Sequence, residues 1–184
     1  MILRQAQATT DISQILTILN AHHFTKLGER DNGFYSTLPS GEQLVRFMEN
    51  SPYCFVLEDN LEKNPQAVAG FITAGDRERA VKINRLKKSP RLAQVIAQSA
   101  PFVYIDCFAL KGMSNPFARH AQELFEALYS VAKTQENKNL FCHIPISPFC
   151  NHSARLFAEK NEFRQIGEVK DGDAIFKLYS CEID

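Results

Sequence analysis

The stretch FVYIDCFAL, residues 102–110, has the composition of a strand at the centre of a sheet. Every side chain in it except that of Asp106 is apolar or aromatic, and β-branched and aromatic residues favour strands. A carboxyl group in such a strand must be hydrogen-bonded or functional, because burying an unpaired charge is costly. Successive side chains of a strand point to opposite faces. The alternation therefore predicts that Tyr104, Asp106 and Phe108 share one face.

A helix and a second strand follow this stretch. Apolar residues recur at helical spacing and predict a helix over 116–136, with Asn115 as its N-cap. Residues 139–144 have the composition of a strand, which we expect Pro145 and Pro148 to interrupt. The strand–helix–strand order predicts a parallel pair joined by a right-handed crossover.

Capping residues, apolar periodicity and turn residues before and after this unit predict the other helices and strands. They are a strand over 2–7, a helix beginning at Thr10 as N-cap, a helix opened by a capping box at Ser40 and Gln43, a hairpin of strands 53–57 and 67–73, a helix from Asn151 to about Asn161 that buries Leu156 and Phe157, and a C-terminal hairpin of strands 163–169 and 174–180. The whole predicts one α/β domain over 1–184, with a mixed sheet and helices on both faces.

Composition restricts the class of protein. The chain has 184 residues, 45% of them hydrophobic and 23% charged, which is typical of a globular domain and excludes a disordered or disulfide-framework protein. The five cysteines form no CxxC pair, so we expect packed thiols in a reducing compartment. No signal peptide is visible, and no apolar stretch approaches the roughly 18 residues of a membrane span. We expect a cytoplasmic protein with no membrane partner.

Charge argues against a globally basic nucleic-acid binder, because Lys and Arg number 21 and Asp and Glu also number 21. A local basic run lies within residues 76–98, which we interpret as an insertion between strands with a short helix around 90–98. Such a run is typical of a solvated face. It could also contact a phosphate, an acidic acceptor or nucleic acid.

The order of elements resembles that of the GCN5-related N-acetyltransferase (GNAT) superfamily. Residues 104–110 and the following helix are similar to the family's fourth strand, pyrophosphate loop and third helix, and residues 151–168 are similar to its closing segment N..S..F.EK.GF...GE. Shorter matches lie at 31–34 and 68–71, and the likeness is closest to a bacterial subgroup with an insertion before a YID strand. The resemblance implies a mostly antiparallel sheet of six to seven strands whose central parallel pair splays apart.

The resemblance also implies acetyl-CoA as co-substrate. In the family, its pantetheine arm lies between the splayed strands and its pyrophosphate lies at the N-terminus of the third helix, where backbone N–H groups and the helix dipole favour an anion. The residues that the resemblance assigns to this ligand are Phe108, Ala109, Leu110, Arg119, His120, Ala121 and Asn151.

Acetyl transfer to a primary amine needs a positioned thioester and a base for the amine proton. Asp106 is the candidate base, acting through water, and Tyr104 the candidate side chain facing the acceptor. Each also has a structural interpretation, Asp106 as a hydrogen-bonded acid and Tyr104 as part of the core. We expect a small-molecule or peptide amine as acceptor. Relatives often dimerise, so a homodimer is among the expected states.

Several positions depart from the family pattern. Pro116 stands where the loop has Gln or Arg, Arg119 replaces its first glycine, and Ala158 occupies the place of a tyrosine that acts as general acid in many members. Arg119 could block the close approach of a phosphate or bind it by a charge-assisted hydrogen bond. The alternative is an inactive GNAT-fold protein that binds another ligand or partner through the altered loop.

A metal site is not expected. Cys142, His143, Cys150 and His152 lie close together in the sequence, but their spacing matches no closed zinc site. Neighbouring strand residues also point to opposite faces, which separates Cys142 from His143.

Overall fold

The computed structural model describes residues 1–22, 39–59, 67–81, 93, 97, 100–111, 117–147 and 150–184. In these ranges the strands are β1 (Ile2–Gln5), β2 (Phe55–Asp59), β3 (Ala67–Asp76), β4 (Phe102–Leu110), β5 (Asn139–Ser147), β6 (Arg164–Asp171) and β7 (Ala174–Glu182). The helices are α1 (Ala8–Ala21), α2 (Gly41–Met48), α3 (Arg77–Ala80), α4 (Phe117–Thr134) and α5 (His152–Lys160). None of the described helices is both long enough and apolar enough to cross a bilayer.

The strands form one seven-stranded sheet in the order β1-β2-β3-β4-β5-β7-β6. Every neighbouring pair is antiparallel except β4 and β5, which run parallel. Apolar residues of α4 and α5 cover one side of the sheet, which we call the α4 face, and those of α1 and α2 cover part of the other, which we call the α1 face. The predicted mixed, mostly antiparallel sheet with helices on both faces is confirmed.

Local signals located several elements correctly. β4 has the predicted bounds, and Ser40 and Gln43 form the predicted capping box, each side chain bonding the other's backbone N–H. The C-terminal hairpin turns at Gly172, whose φ of 62° is a conformation that glycine adopts without strain. These features depend on neighbours within a few residues, so the sequence alone predicts them.

The predicted start of the first helix is wrong. Helix α1 begins at Ala8 with Gln7 as N-cap, and Thr10 lies inside the helix. The reason is Asp11, whose carboxylate accepts the Gln7 N–H at 2.7 Å and is held at 2.8 Å by the Arg4 guanidinium. The start of the helix is thus stabilised by the carboxylate of Asp11 in its first turn, and not by a threonine at the N-cap.

The predicted burial of Leu156 is also wrong, since this side chain is 60% exposed. The α5 stripe that faces the core consists of Ala154, Phe157 and Ala158, which have the i, i+3, i+4 spacing of one helix face. Leu156 lies off that stripe. Phe157 packs against the core as predicted.

Parts of the predictions fall outside the described residues, among them the Asn115 N-cap, the match at 31–34 and residues 82–92 of the basic run. Asp76 ends β3 and caps α3 by accepting the Arg79 N–H, so the insertion begins with a short helix. Of the helix predicted around 90–98, the structure describes Ala93 and Ala97, and both are helical.

Candidate active site

A gap opens between the two parallel strands. β4 and β5 pair from Phe102↔Asn139 to Ile105↔Cys142, and no later pair joins them. Yet β4 continues to Leu110, paired with β3, and β5 continues to Ser147, paired with β7. The carboxyl ends of the two strands are therefore held apart by their outer neighbours. The splay expected of the central parallel pair is confirmed.

The gap begins at the point where side chains of β4 stop alternating regularly between the two faces of the sheet. The register with β3 runs from Thr73↔Cys107 to Ala74↔Ile105, which leaves Asp106 as an extra residue on β4. Ile105 packs in the core of the α4 face, whereas Cys107, two positions on, packs in the core of the α1 face. A β-bulge reverses the alternation in this way and re-aims the strand.

The bulge corrects the predicted placement of three side chains. Phe108 packs on the α4 face, while Tyr104 belongs to a cluster on the opposite side with Phe141 and Leu178. Tyr104, Asp106 and Phe108 therefore do not share one face, because strict alternation does not hold across a bulge. Asp106 itself is half-buried, and its Oδ2 lies 3.5 Å from the Cys107 thiol.

Backbone groups of β4 face the gap beyond the bulge. The Lys111 N–H donates to the Ala69 carbonyl of β3, and alternate strand residues present their N–H and C=O groups to opposite neighbours. Phe108 and Leu110 therefore direct their backbone groups toward the gap, and Ala109 directs its own toward β3. The gap is thus lined by main-chain donors and acceptors that β5 does not use.

The β5 side of the gap shows that Pro145 does not end its strand. Pro145 pairs with Phe176 of β7, and β5 runs on to Ser147, so the expectation of an interruption at this residue is wrong. The Pro145 carbonyl accepts the Asn151 N–H at 3.1 Å. Proline is tolerated here because its missing N–H lies on the side turned away from β7. The separation from β4 begins at Cys142, before Pro145 is reached.

Asn151 joins the start of α5 to the edge of the gap. It is buried, its N–H bonds Pro145, and its Oδ1 accepts the Ala154 N–H at 2.9 Å, which confirms the predicted N-cap. Because Oδ1 serves the cap, Nδ2 is the side-chain group that can donate a hydrogen bond to a ligand in the gap. The assignment of Asn151 to the pantetheine arm stays a prediction.

The side chains of Arg119 and His120 meet one carboxylate in the first turns of α4. Arg119 Nε lies 3.1 Å from Glu123 Oε1, and His120 Nδ1 lies 3.1 Å from Glu123 Oε2. Hydrogen bonding from His120, with a smaller contribution from Arg119, holds the pKa of Glu123 below its ordinary value. Arg119 is 85% exposed and Ala121 is half-buried. The roles of Arg119, His120 and Ala121 at a phosphate stay predictions.

An aromatic cluster lies below the gap on the α4 face. The ring of Phe108 meets that of Phe157 edge to face at 5.3 Å, and Phe157 meets Phe125 at 5.8 Å in the same manner. Edge-to-face pairs at these distances are favourable beyond the area they bury. The cluster ties β4 to α5 and α4, and so holds one wall of the gap.

His143 is a residue that the sequence-based site omits. It is the first residue of β5 beyond the last pair with β4, and its Nδ1 lies 2.8 Å from the hydroxyl oxygen of Tyr104. The rings are 5.6 Å apart between centroids and tilted by 58°. The signal that could have found this pair is the parallel register, because side chains near the start of both strands lie side by side once the strands are paired.

The structure places Cys142 and His143 on opposite faces of the sheet. No group of three or more His, Cys, Asp and Glu side chains in the described ranges could hold a metal ion. Cys142 packs on the α4 face, where burial raises the pKa of its thiol to about 12, while His143 lies on the other side of β5. Cys150 Sγ and His152 Nδ1 are 3.9 Å apart at the start of α5.

Comparison with solved structures shows that this chain shares its fold with several N-acetyltransferases. The NatC complex bound to Gag peptide and CoA matches with a TM-score of 0.72 and 12% identity, over 100% of this chain and 98% of that chain. The ribosomal-protein-S18-alanine N-acetyltransferase from Escherichia coli matches with a TM-score of 0.62 and 12% identity, over 100% of this chain and 94% of that chain.

An agmatine N-acetyltransferase matches with a TM-score of 0.62 and 12% identity, over 98% of each chain. No protein-family model matches the sequence. No curated protein matches it significantly either. At these identities the likeness defines the fold, and the chemistry has to be argued from the residues of this chain.

Proposed function

We propose that this protein is an N-acetyltransferase that transfers the acetyl group of acetyl-CoA to a primary amine by direct attack of the amine on the thioester. The observation that carries the proposal is the gap between β4 and β5, which opens at a bulge and is lined by the backbone of Phe108 and Leu110. An extended amide-containing chain can hydrogen-bond to the backbone of a strand whose edge faces it.

The residues around the gap suit the parts of the coenzyme. The pantetheine arm carries amide groups that match the backbone of β4 and the Asn151 amide. Arg119 and His120, in the first turns of α4, can supply charge-assisted hydrogen bonds to the pyrophosphate near the helix N-terminus. With the phosphates at α4, the acetyl group lies at the other end of the gap, close to the bulge at Asp106.

The acceptor amine then approaches from the α1 face. Helices α4 and α5 cover the opposite face, and the coenzyme fills the gap between the strands. Direct attack needs the thioester carbonyl polarised and one amine proton removed. The neighbours that act on a ribosomal protein and on agmatine make peptide amines and small primary amines the acceptor classes to test.

A second candidate is a protein of this fold that does not transfer acetyl groups and binds another ligand or partner at the altered loop. The observation that favours it is the pairing of Arg119 and His120 with Glu123. An incoming phosphate would have to compete with that carboxylate for both side chains.

Isothermal titration calorimetry with CoA and with acetyl-CoA separates the two candidates. We expect micromolar affinity that falls at least about tenfold in Arg119→Glu, which turns one attraction for phosphate into a repulsion. Arg164→Glu, on the exposed edge strand β6, makes the same charge change away from the gap and should leave affinity unchanged. Absence of binding at millimolar ligand would favour the second candidate.

Turnover is then measured as release of the CoA thiol from acetyl-CoA. The acceptor panel consists of agmatine, other primary amines and short peptides with free α-amino groups. Acetylated product from any member, identified by mass, supports the transferase. Tight CoA binding without transfer to any member supports the second candidate.

A further inference from the structure

The two edge strands of the sheet differ in the side chains they carry. β6, at one edge, holds four charged residues and a bulge, where its register with β7 shifts at Ile166. Charged side chains, lysine above all, and bulges keep an edge strand from pairing with another chain. β1, at the other edge, contains neither lysine nor proline, and its register with β2 is unbroken. These devices therefore protect the β6 edge and are missing from the β1 edge.

The side chains at the β1 edge are apolar and exposed. Met1, Ile2 and Leu3 follow one another in the sequence and are 43%, 49% and 39% exposed. A run of exposed apolar residues is typical of a surface that another molecule covers. The charged residue of this strand, Arg4, forms ion pairs with one carboxylate of α1 and one of β2. Its charge is thus compensated within the chain and does not repel a second strand.

The backbone of β1 has hydrogen-bonding groups on its outer side. The Ala6 N–H donates at 2.9 Å to a carbonyl just before β2. Alternate strand residues direct their N–H and C=O groups to opposite sides, so Ile2 and Arg4 bond to β2, whereas Leu3 and Gln5 direct these groups away from it. The Gln5 carbonyl also accepts the Arg4 guanidinium at 3.0 Å, and a carbonyl oxygen can accept a second hydrogen bond.

We propose that β1 pairs with β1 of a second copy of this chain, antiparallel and about a two-fold axis at Leu3. In this register the outward backbone groups of Leu3 bond those of Leu3 in the second copy, and the groups of Gln5 bond those of Met1. The two seven-stranded sheets then form one continuous sheet.

The same register covers the exposed apolar side chains. Leu3 lies beside Leu57 of β2, which packs in the core of the α4 face, so the two Leu3 side chains extend that core across the axis. On the α1 face, Ile2 comes opposite Arg4 of the second copy in a non-hydrogen-bonded pair, in which side chains lie closest. The aliphatic stem of Arg4 can cover Ile2 while its guanidinium stays bonded to Asp11.

A second copy suits this edge because the pattern of Met1–Gln5 is complementary to itself. Under the two-fold axis apolar side chains meet apolar side chains or the stem of Arg4, and no two like charges of this segment stand opposite each other. The contact is smaller than the roughly 800 Å² per partner of a stable complex. We therefore expect a weak dimer that dissociates between about 10 µM and 1 mM.

Sedimentation of the wild-type protein from about 5 µM to 1 mM measures this equilibrium. We expect Leu3→Lys to weaken association at least about tenfold, because the axis brings the two introduced ammonium groups together. Ile166→Lys makes the same kind of change at the exposed Ile166 of the β6 edge and should leave association unchanged. A wild-type protein that stays monomeric at 1 mM would overturn the proposal, and so would a dimer that only Ile166→Lys weakens.

A mixture of two variants tests the register. Leu3→Glu alone should associate as poorly as Leu3→Lys, but an equimolar mixture of the two should regain association, because opposite charges then meet at the axis. Thermal unfolding of each variant shows that the fold is retained. If the mixture associates no better than either variant alone, Leu3 does not lie on the axis and the proposed pairing is wrong.

Amide hydrogen exchange of the wild-type protein needs no variant. The N–H groups of Leu3 and Gln5 should exchange more slowly as the concentration rises, while that of Arg4, bonded to β2, should change little. Protection of Leu3 and Gln5 without any dimer would mean that another segment covers the edge, and would refute the proposal.

CoA affinity separates this inference from the proposed function. β2 and β3 lie between β1 and β4, so the interface does not reach the gap. Leu3→Lys should therefore bind CoA as the wild-type protein does. Failure of the wild-type protein to bind CoA would count against the transferase and leave the dimer standing.

Discussion

Ile105 and Cys142 are the last residues that pair β4 with β5. On β4 the next residue is Asp106, the extra residue of the bulge, and on β5 the next is His143, the partner of Tyr104. The separation of the strands therefore coincides with a change in the direction of β4. Since β3 and β7 pair with the two strands on their outer sides, the sheet itself holds the gap open.

The glycine at position 70 allows Leu110 to lie beside the gap. A Cβ at Gly70 would stand 2.3 Å from Leu110 Cδ2, so Gly70→Ala must move that side chain. Because the clashing atom is the end of a flexible side chain, we expect a loss of only about 1 kcal/mol in unfolding free energy, together with several-fold weaker CoA binding.

Gly167→Ala is the control for this prediction, because, apart from its chain neighbours, no atom of the described residues lies within 4 Å of its added Cβ. It should alter neither the free energy of unfolding nor the affinity for CoA. Denaturant unfolding and calorimetry measure both. Unchanged CoA affinity in Gly70→Ala would show that Leu110 does not shape the ligand site.

Two substitutions at Asn151 separate its cap from its predicted role in ligand binding. Asn151→Ala removes the acceptor for the Ala154 N–H and should cost about 1 kcal/mol of stability. Asn151→Asp keeps the acceptor but loses the Nδ2 donor, so stability should be retained while CoA affinity falls. Thermal unfolding and calorimetry on the same samples give the two values. Full CoA affinity in Asn151→Asp would restrict Asn151 to the cap.

Glu123 is expected to compete with the coenzyme phosphates. In Glu123→Gln the side chains of Arg119 and His120 lose their anionic partner, so the affinity for CoA should rise about two- to fivefold at low salt. The gain should shrink as salt is added, because exposed charges are screened. Titration calorimetry over a salt series measures this. A lower affinity in Glu123→Gln would mean that Glu123 orients Arg119 and His120 for the phosphates instead of competing with the phosphates for them.

The pair of Arg4 and Asp11 should make stability depend on pH. Burial alone would raise the pKa of Asp11, but hydrogen bonds from Arg4 and the Gln7 backbone outweigh it, and the folded-state pKa lies below the ordinary value of 3.8. A lowered folded-state pKa stabilises the fold at neutral pH, and that contribution is lost as the pH falls below 3.8 toward the folded-state value.

Arg4→Ala should therefore cost about 2 kcal/mol at neutral pH, since it leaves a buried carboxylate without its cation, and less in acid. Arg119→Ala removes an exposed pair and should cost under about 0.5 kcal/mol at either pH. Urea unfolding at both pH values gives the comparison. If Arg4→Ala lost the same stability at neutral and at acid pH, Arg4 would stabilise the fold by packing and not by its charge.

The candidate site was predictable in part. The Asn151 cap was predictable from the sequence, because capping depends on residues within one turn, whereas the place of Phe108 and Leu110 beside the gap was expected only from the resemblance to a known fold. The assumption that side chains alternate strictly between the two faces of β4 put Phe108 on the same face as Tyr104, which is wrong. The bulge that separates them depends on the register with β3, and no local sequence pattern predicts that register. The predicted interruption at Pro145 was wrong for a related reason, because β7 pairs with that part of β5.

The sequence by itself determined which segments become strands and helices, where the capping box and the Asn151 cap form, and that one strand–helix–strand unit sets a parallel pair at the centre. Those properties follow from periodicity and from hydrogen bonds that reach only a few residues. Only the tertiary structure decided where β4 and β5 part and that Tyr104 meets His143. Both depend on strand register, which is set by packing between residues far apart along the chain.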